Sequence, residues 1–256
     1  MEPITDRQQL ILSRVIDTHI DTAQPVGSRT LRDRYELQYS PATLRAEMGH
    51  LEERGFLEQR HTSSGRVPTD LGYRYYVDHD IVETGPETGT DFSHVLPSDL
   101  DAVDILTDEA SRLLSLMSEE AGIVYVRDPK SLGERSRQGR PRMAVHGSSH
   151  LLSKPEFQDV QKLRSLFDIL EEKMKLAEWI MGEESCDHVS IRIGRENKPE
   201  ALQDCSVVLT HYHFSGEPLC AVAVLGPRRM RYRQAVPLVD RMAKAIGELL
   251  NKQIGF

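Results

Sequence analysis

Lysine is missing from the first 79 residues, which carry ten arginines and twelve acidic side chains. Cysteine is scarce throughout the 256-residue chain. Cys186, Cys205 and Cys220 form no CxxC pair, and an odd count argues against a disulfide scaffold. No apolar run approaches the roughly 20 residues that a membrane-spanning helix needs, so no membrane partner is expected. The opening MEPITDRQQL lacks a basic stretch followed by an apolar one. No secretory signal is therefore expected, and a reduced, cytoplasmic protein is. There is no P-loop, GxSxG or HExxH and no readable pair of carboxylates, so neither enzyme chemistry nor a cofactor is expected.

The formal charge of −8 speaks against a bulk polyanion binder. Its distribution is more informative than its sum. Residues 80–109 hold nine acidic side chains and no Lys or Arg, whereas 127–142 hold six Lys/Arg against Asp128 and Glu134. Any nucleic-acid contact must be local and made by arginine. Hydrophobic content of 39% and charged content of 28% suit a globular chain of one large or two modest domains.

The first segment reads as a helix that starts at a capping box, Thr5 with Gln8, and buries Ile11, Leu12, Val15, Ile16 and Ile20. Pro25 and Gly27 break it, and Ser28 is expected to cap a short second helix, Arg29 to about Tyr35. Ser40 followed by Pro41 predicts a third helix, with Leu44, Met48 and Leu51 inward and a stop near Gly55. Three such helices make a helix-turn-helix, whose last helix reads DNA. Its outer face holds Ala42, Ala46 and Gly49, flanked by Thr43, Arg45 and His50. A merely solvated face would use Lys, Glu or Gln, and Gly49 costs roughly 1 kcal/mol against alanine inside a helix. Small side chains let a helix sink toward a groove floor, and Arg45 can reach a guanine edge or a phosphate. The alternative is a three-helix bundle with small surface residues.

Phe56 to about Arg60 is expected to pair with Arg66-Val67, joined by the turn HTSSG, in which Gly65 is free to take a positive φ. A hairpin directly after a reading helix is a wing. Thr62, Ser63 and Ser64 offer hydrogen bonds to phosphate, and Arg66 a charge for a minor groove. Such a tip is also simple turn chemistry, but its place behind this helix favours the functional reading. Thr69 caps a further helix.

Toward the C-terminus, one helix is expected at about Leu100–Glu120, then the apolar GIVYV. A long amphipathic helix follows from Pro155 to about Gly182. Strands are expected at Val189–Ile193, Val207–Phe214 and Leu219–Leu225, and a last helix to about Lys252. His211 and His213, two apart on a strand, share a face, a spacing that metal sites use. No third ligand stands near, so two surface histidines and no metal are expected. Arg228, Arg229, Arg231 and Arg233, near the start of the last helix, read as a solvated or dimer-contacting cluster, with anion docking as the alternative.

Residues 4–79 resemble the N-terminal domain of the HrcA heat-inducible transcription repressors through ITDRQQLILSRVID, PVGSRTL and SPATLRAEMGHLEERGFLEQRHTSSGRVPTDLGYRYYVD. GSSHLLSKPEFQDVQKLRSLFDILEE, VSIRIGREN and LCAVAVLGPRRMRY extend the resemblance to that family's GAF-like domain. The expected fold is therefore α+β: a winged helix-turn-helix domain at 1–82, an acidic and basic linker with one helix at 83–143, and a reduced GAF-like domain at 144–256. The resemblance implies a homodimeric repressor of chaperone operons that binds double-stranded DNA at an inverted-repeat operator and is kept active by a GroEL-type chaperonin. It also implies DNA-facing roles for Arg29, Thr30, Pro41, Ala42, Thr43 and Arg45, and for the wing from His61 through Thr62, Ser63, Ser64 and Gly65 to Arg66. Ser40, Ala46 and Gly49 join them from the helix geometry. Two departures stand out. Ala46 occupies a position that is commonly polar in the family, which bears on the operator sequence. The stretch between Val77 and Gly147 is short, so the family's inserted dimerising subdomain is expected to be absent. A second reading is a regulator whose GAF-like half senses a small molecule or a different protein signal.

Overall fold

The computed structural model describes residues 4–60, 65–81, 92–97, 103–127, 142–182, 188–214 and 216–254. They form two compact units, one of Met1–Gly85 with Arg228–Met230 and one of Pro86–Pro227 with Arg231–Phe256. No helix among the described residues is long and apolar enough to cross a membrane.

In the first unit, α1 (Asp6–Thr22) starts at the expected capping box and ends at Ala23, whose left-handed φ of 56° turns the chain. Helix α2 (Ser28–Tyr35) begins one residue earlier than expected: Gly27 is its N-cap and Ser28 lies inside the helix, buried. Helix α3 (Pro41–Glu53) has Ser40 as N-cap, accepting from Thr43 N at 3.1 Å, with proline at the first position. Ile11, Leu12, Val15 and Ile16 of α1 meet Leu31 of α2 and Leu44, Met48 and Leu51 of α3 in one core. Burial of this apolar stripe holds the three helices together, since α2 and α3 alone are too short to be stable in water.

Behind α3, β1 (Leu57–Glu58) pairs antiparallel with β2 (Val67–Pro68) in the register Leu57↔Pro68, Glu58↔Val67. The loop between α1 and α2 adds a third rung, because Val26 and Arg66 exchange backbone bonds of 2.8 and 2.9 Å. Helix α4 (Asp70–Tyr76) follows with Thr69 as N-cap and runs into a π-helical turn, Val77–Ile81. Tyr76 donates to Asp17 at 2.6 Å, tying this end back to α1.

The second unit is built on a five-stranded antiparallel sheet of β3 (Ala121–Val126), β4 (Arg142–His146), β5 (Ser190–Ile193), β6 (Cys205–Phe214) and β7 (Glu217–Pro227), in the order β4-β3-β7-β6-β5. One face carries α5 (Val103–Ser118) and α9 (Tyr232–Ile254). The other carries α6 (Ser148–Leu152), α7 (Val160–Glu171) and α8 (Lys173–Met181), whose Leu151, Leu166, Leu170, Leu176 and Ile180 pack on Ile123, Val207, Leu209, Ala223 and Leu225. With both faces covered, β7 is apolar throughout its centre instead of alternating.

Three expectations are corrected here. One stretch of the expected linker is not a linker: GIVYV lies in β3, between β4 and β7, and the helix before it packs on that strand. The span expected as one helix from Pro155 to Gly182 opens with a 3-10 turn, Pro155–Phe157, and continues as two helices broken at Glu172, whose ψ of 67° leaves the helical region. Glu and Lys at the break favour helix, so packing overrides propensity and turns both halves onto the sheet. His211 is not a surface residue but buried, its Nε2 lying 3.0 Å from the carbonyl of Ile180. Among the described residues no group of three or more His, Cys, Asp or Glu is arranged to hold a metal ion.

Candidate nucleic-acid interface

The core of the first unit decides which side of α3 faces out. Leu44, Met48 and Leu51 are fully buried, and Ala42, Arg45 and Ala46 are exposed on the opposite side, with Gly49 and Thr43 half-exposed beside them. A methyl group added at Gly49 would meet nothing within 4 Å. Packing therefore does not require glycine there. The bare strip on α3, from Ala42 to Gly49, is open surface about 10 Å long.

One carboxylate fixes the tilt of this helix. Glu47 lies among the apolar residues of α3 at 7% exposure. It accepts from Arg7 Nε at 2.8 Å and from Gln8 Nε2 at 3.1 Å, both on the first turn of α1. Glu47 carries no motif that marks it in the sequence. Its only signal was an acid on the inward side of the helical wheel, and buried carboxylates persist only with partners.

The arginines then divide sharply. Arg7, Arg14, Arg32, Arg34, Arg60, Arg66 and Arg74 each pair with a carboxylate, and Arg54 lies 5.6 Å from the Phe56 ring centre. Among the described residues Arg29 and Arg45 have no such partner. Both are exposed, Arg29 with Thr30 on the first turn of α2 and Arg45 on α3. Among the described arginines of the first unit, these two are left to solvent. Ser40 and Thr43 are partly committed, their hydroxyls 2.9 Å apart at the cap; Pro41 forms the first turn beside them.

The ribbon departs from expectation. Arg66 does not project outward: its side chain is 15% exposed, and its Nε and Nη2 both donate to Glu52 Oε2, at 2.9 and 2.8 Å. Gly65 does not have a positive φ. It is glycine because a Cβ there would stand 2.5 Å from the carbonyl of Val26, so only a bare backbone passes. His61, Thr62, Ser63 and Ser64 lie outside the described residues.

Residues 106–236 match the family described as HrcA protein C terminal domain, a span that begins within α5 and runs into α9. The chain is also similar over nearly its whole length to proteins named heat-inducible transcription repressor HrcA. That of Shouchella clausii is 29% identical over 347 positions, covering 99% of each chain. That of Symbiobacterium thermophilum is 30% identical over 336 positions, covering 96% of this chain and 98% of its own. An alignment of 347 positions against a chain of 256 residues leaves about ninety positions of the relative facing a gap. A crystal structure described as that of a hypothetical protein shares the fold, with a TM-score of 0.76 at 18% identity over 97% of this chain and 98% of its own. The family match spans half the chain and the relatives span almost all of it: the chain belongs to the HrcA family.

Proposed function

We propose that this chain represses transcription of chaperone operons by binding, as a homodimer, an inverted-repeat operator in double-stranded DNA. In this reading the first unit is a winged helix-turn-helix and the second a reduced GAF-like domain. The observation that carries it is the outward face of α3: three small residues with open space before them, flanked by Arg45, with Arg29 and Thr30 beside it on α2. A helix so bared can lie close to a groove floor, with arginine placed for a guanine edge or a phosphate. Two copies related by a two-fold axis would meet two half-sites on one side of the duplex, hence a pseudo-palindrome. The family resemblance supports a GroEL-type chaperonin as the partner that maintains the active form.

Selection of bound duplexes from a random pool tests this. The expected result is enrichment of a site with two inverted halves. An unenriched pool, or a site without symmetry, would overturn it.

The sensing alternative has one observation in its favour. An opening of about 310 Å³ between α5 and β4 is lined by Asp104, Thr107, Asp108, His146 and Lys173. It lies at the small end of ligand sites and is mostly polar, where such sites are mostly apolar. The transcriptional reading is the better supported.

A further inference from the structure

Helix α5 buries Leu106, Ala110 and Leu114 against the sheet and turns a second, unusual face outward. At 100° per residue, Ile105, Glu109, Arg112 and Leu116 fall within about 60° of arc, directly opposite the buried stripe. Ile105 is 59% exposed and Leu116 58%, with Met117 at 42% on the flank. Large aliphatic side chains thus stand at both ends of an exposed helix face, spaced three turns apart and left mostly uncovered. Between them Glu109 accepts from Arg112 Nε at 3.0 Å.

This order has a symmetry of its own. Ile105 and Leu116 are equally far from a point between Ala110 and Ser111, and so are Glu109 and Arg112. When such a helix meets a copy of itself running the opposite way about that point, each apolar residue faces an apolar one. Each charge then faces its opposite, twice over. That is the requirement of a two-fold interface, where the same patch must complement itself.

We infer that α5 is a self-association surface whose occupant is a second copy of this chain, packed antiparallel so that Ile105 meets the partner's Leu116 and Glu109 meets the partner's Arg112. This rests on the homodimer reading above and names its interface. The stripe is narrow against the roughly 800 Å² per partner of a stable complex. The free dimer is therefore expected in the micromolar range and is tightened when an operator holds both copies.

Sedimentation equilibrium of the full chain over about 1–100 µM provides the test. Ile105→Asp and Leu116→Asp should each weaken dimerisation at least about ten-fold, with the circular dichroism spectrum unchanged. Glu109→Arg and Arg112→Glu should each do the same, because like charges then face each other. Mixing these last two variants should restore a dimer: every contact between chains is then complementary, while the clash within each chain remains. Recovery on mixing cannot come from repair of either fold. Variants as dimeric as the wild type would overturn this interface and leave the repressor reading intact, as would a mixture that stays monomeric. A wild-type chain that is monomeric throughout, with and without inverted-repeat DNA, would overturn the homodimer reading itself.

Discussion

Arg66 and Glu52 are joined at 2.8 Å, so the foot of the ribbon is clamped to the last turns of α3. Each partner is more than half covered by protein, and the bond links segments 14 residues apart. Its role is to position the ribbon, not to reach outward.

Arg66→Ala and Glu52→Ala should therefore destabilise the first unit, by about 1–3 kcal/mol, the range for a hydrogen bond to a charged group. Arg66→Lys should recover part of this, since one ammonium cannot reproduce two guanidinium contacts. Urea unfolding followed by circular dichroism would measure the difference. Unchanged stability in Arg66→Ala would show that the clamp contributes nothing.

Gly49→Ala should separate folding from binding. The site has room for a methyl group, and alanine favours helix over glycine by roughly 1 kcal/mol. The variant is expected to melt higher and to bind operator more weakly, because its Cβ stands between α3 and the groove. Higher stability with undiminished affinity in a fluorescence-anisotropy titration would contradict a close approach here.

Arg45 and Arg29, which no carboxylate pairs, should fail differently. Arg45→Ala is expected to cost roughly 1–3 kcal/mol on the selected operator and little on scrambled DNA. Arg29→Ala should weaken both alike and lower the salt dependence by about one counterion. Gel shifts at two salt concentrations report both effects. Equal losses on both DNAs for Arg45→Ala would remove its base-reading role.

The second unit should lose stability in alkali. Burial in β7 pushes the Cys220 thiol up to about 12 from an ordinary value near 9. Between these values the unfolded chain has released a proton that the folded chain still holds, so stability is complete below pH 9 and declines above it. Burial raises the Tyr125 phenol as well, which adds to the decline above pH 10. The expected loss at pH 10 from Cys220 is about 1 kcal/mol. A urea midpoint that stays flat from pH 8 to pH 10 would exclude this. In a Cys186→Ser background, Ellman's reagent should find Cys205 and Cys220 silent until the protein unfolds, since both are buried.

What could be read from the chain alone was what is local. Thr5 with Gln8, Ser40 with Pro41, and Thr69 each mark a helix start within four residues, and each was found in place. The outward direction of Ala42, Arg45 and Ala46 followed from three apolar anchors on the same helix. Arg66 and Gly65 were misread because their partners, Glu52 and Val26, lie far along the chain and come near only once α1, α3 and the ribbon have packed. GIVYV was too short to distinguish a strand at the sheet's interior from any other apolar run. The break at Glu172 has no local cause, and His211 is buried by α8, which no pattern around His211 announces.

The rung between Val26 and Arg66 constrains more than the ribbon. It welds the turn ahead of α2 to the strand behind α3, so the outward side of α3 and the base of the ribbon form a rigid caliper. Separating them would break two backbone hydrogen bonds, each worth about 1 kcal/mol, together with the Arg66–Glu52 clamp. A jaw set before its target arrives loses little entropy on closing, and it tolerates little variation in groove width. Discrimination against ill-shaped DNA would then begin in the loop between the first two helices, at a residue that touches no base.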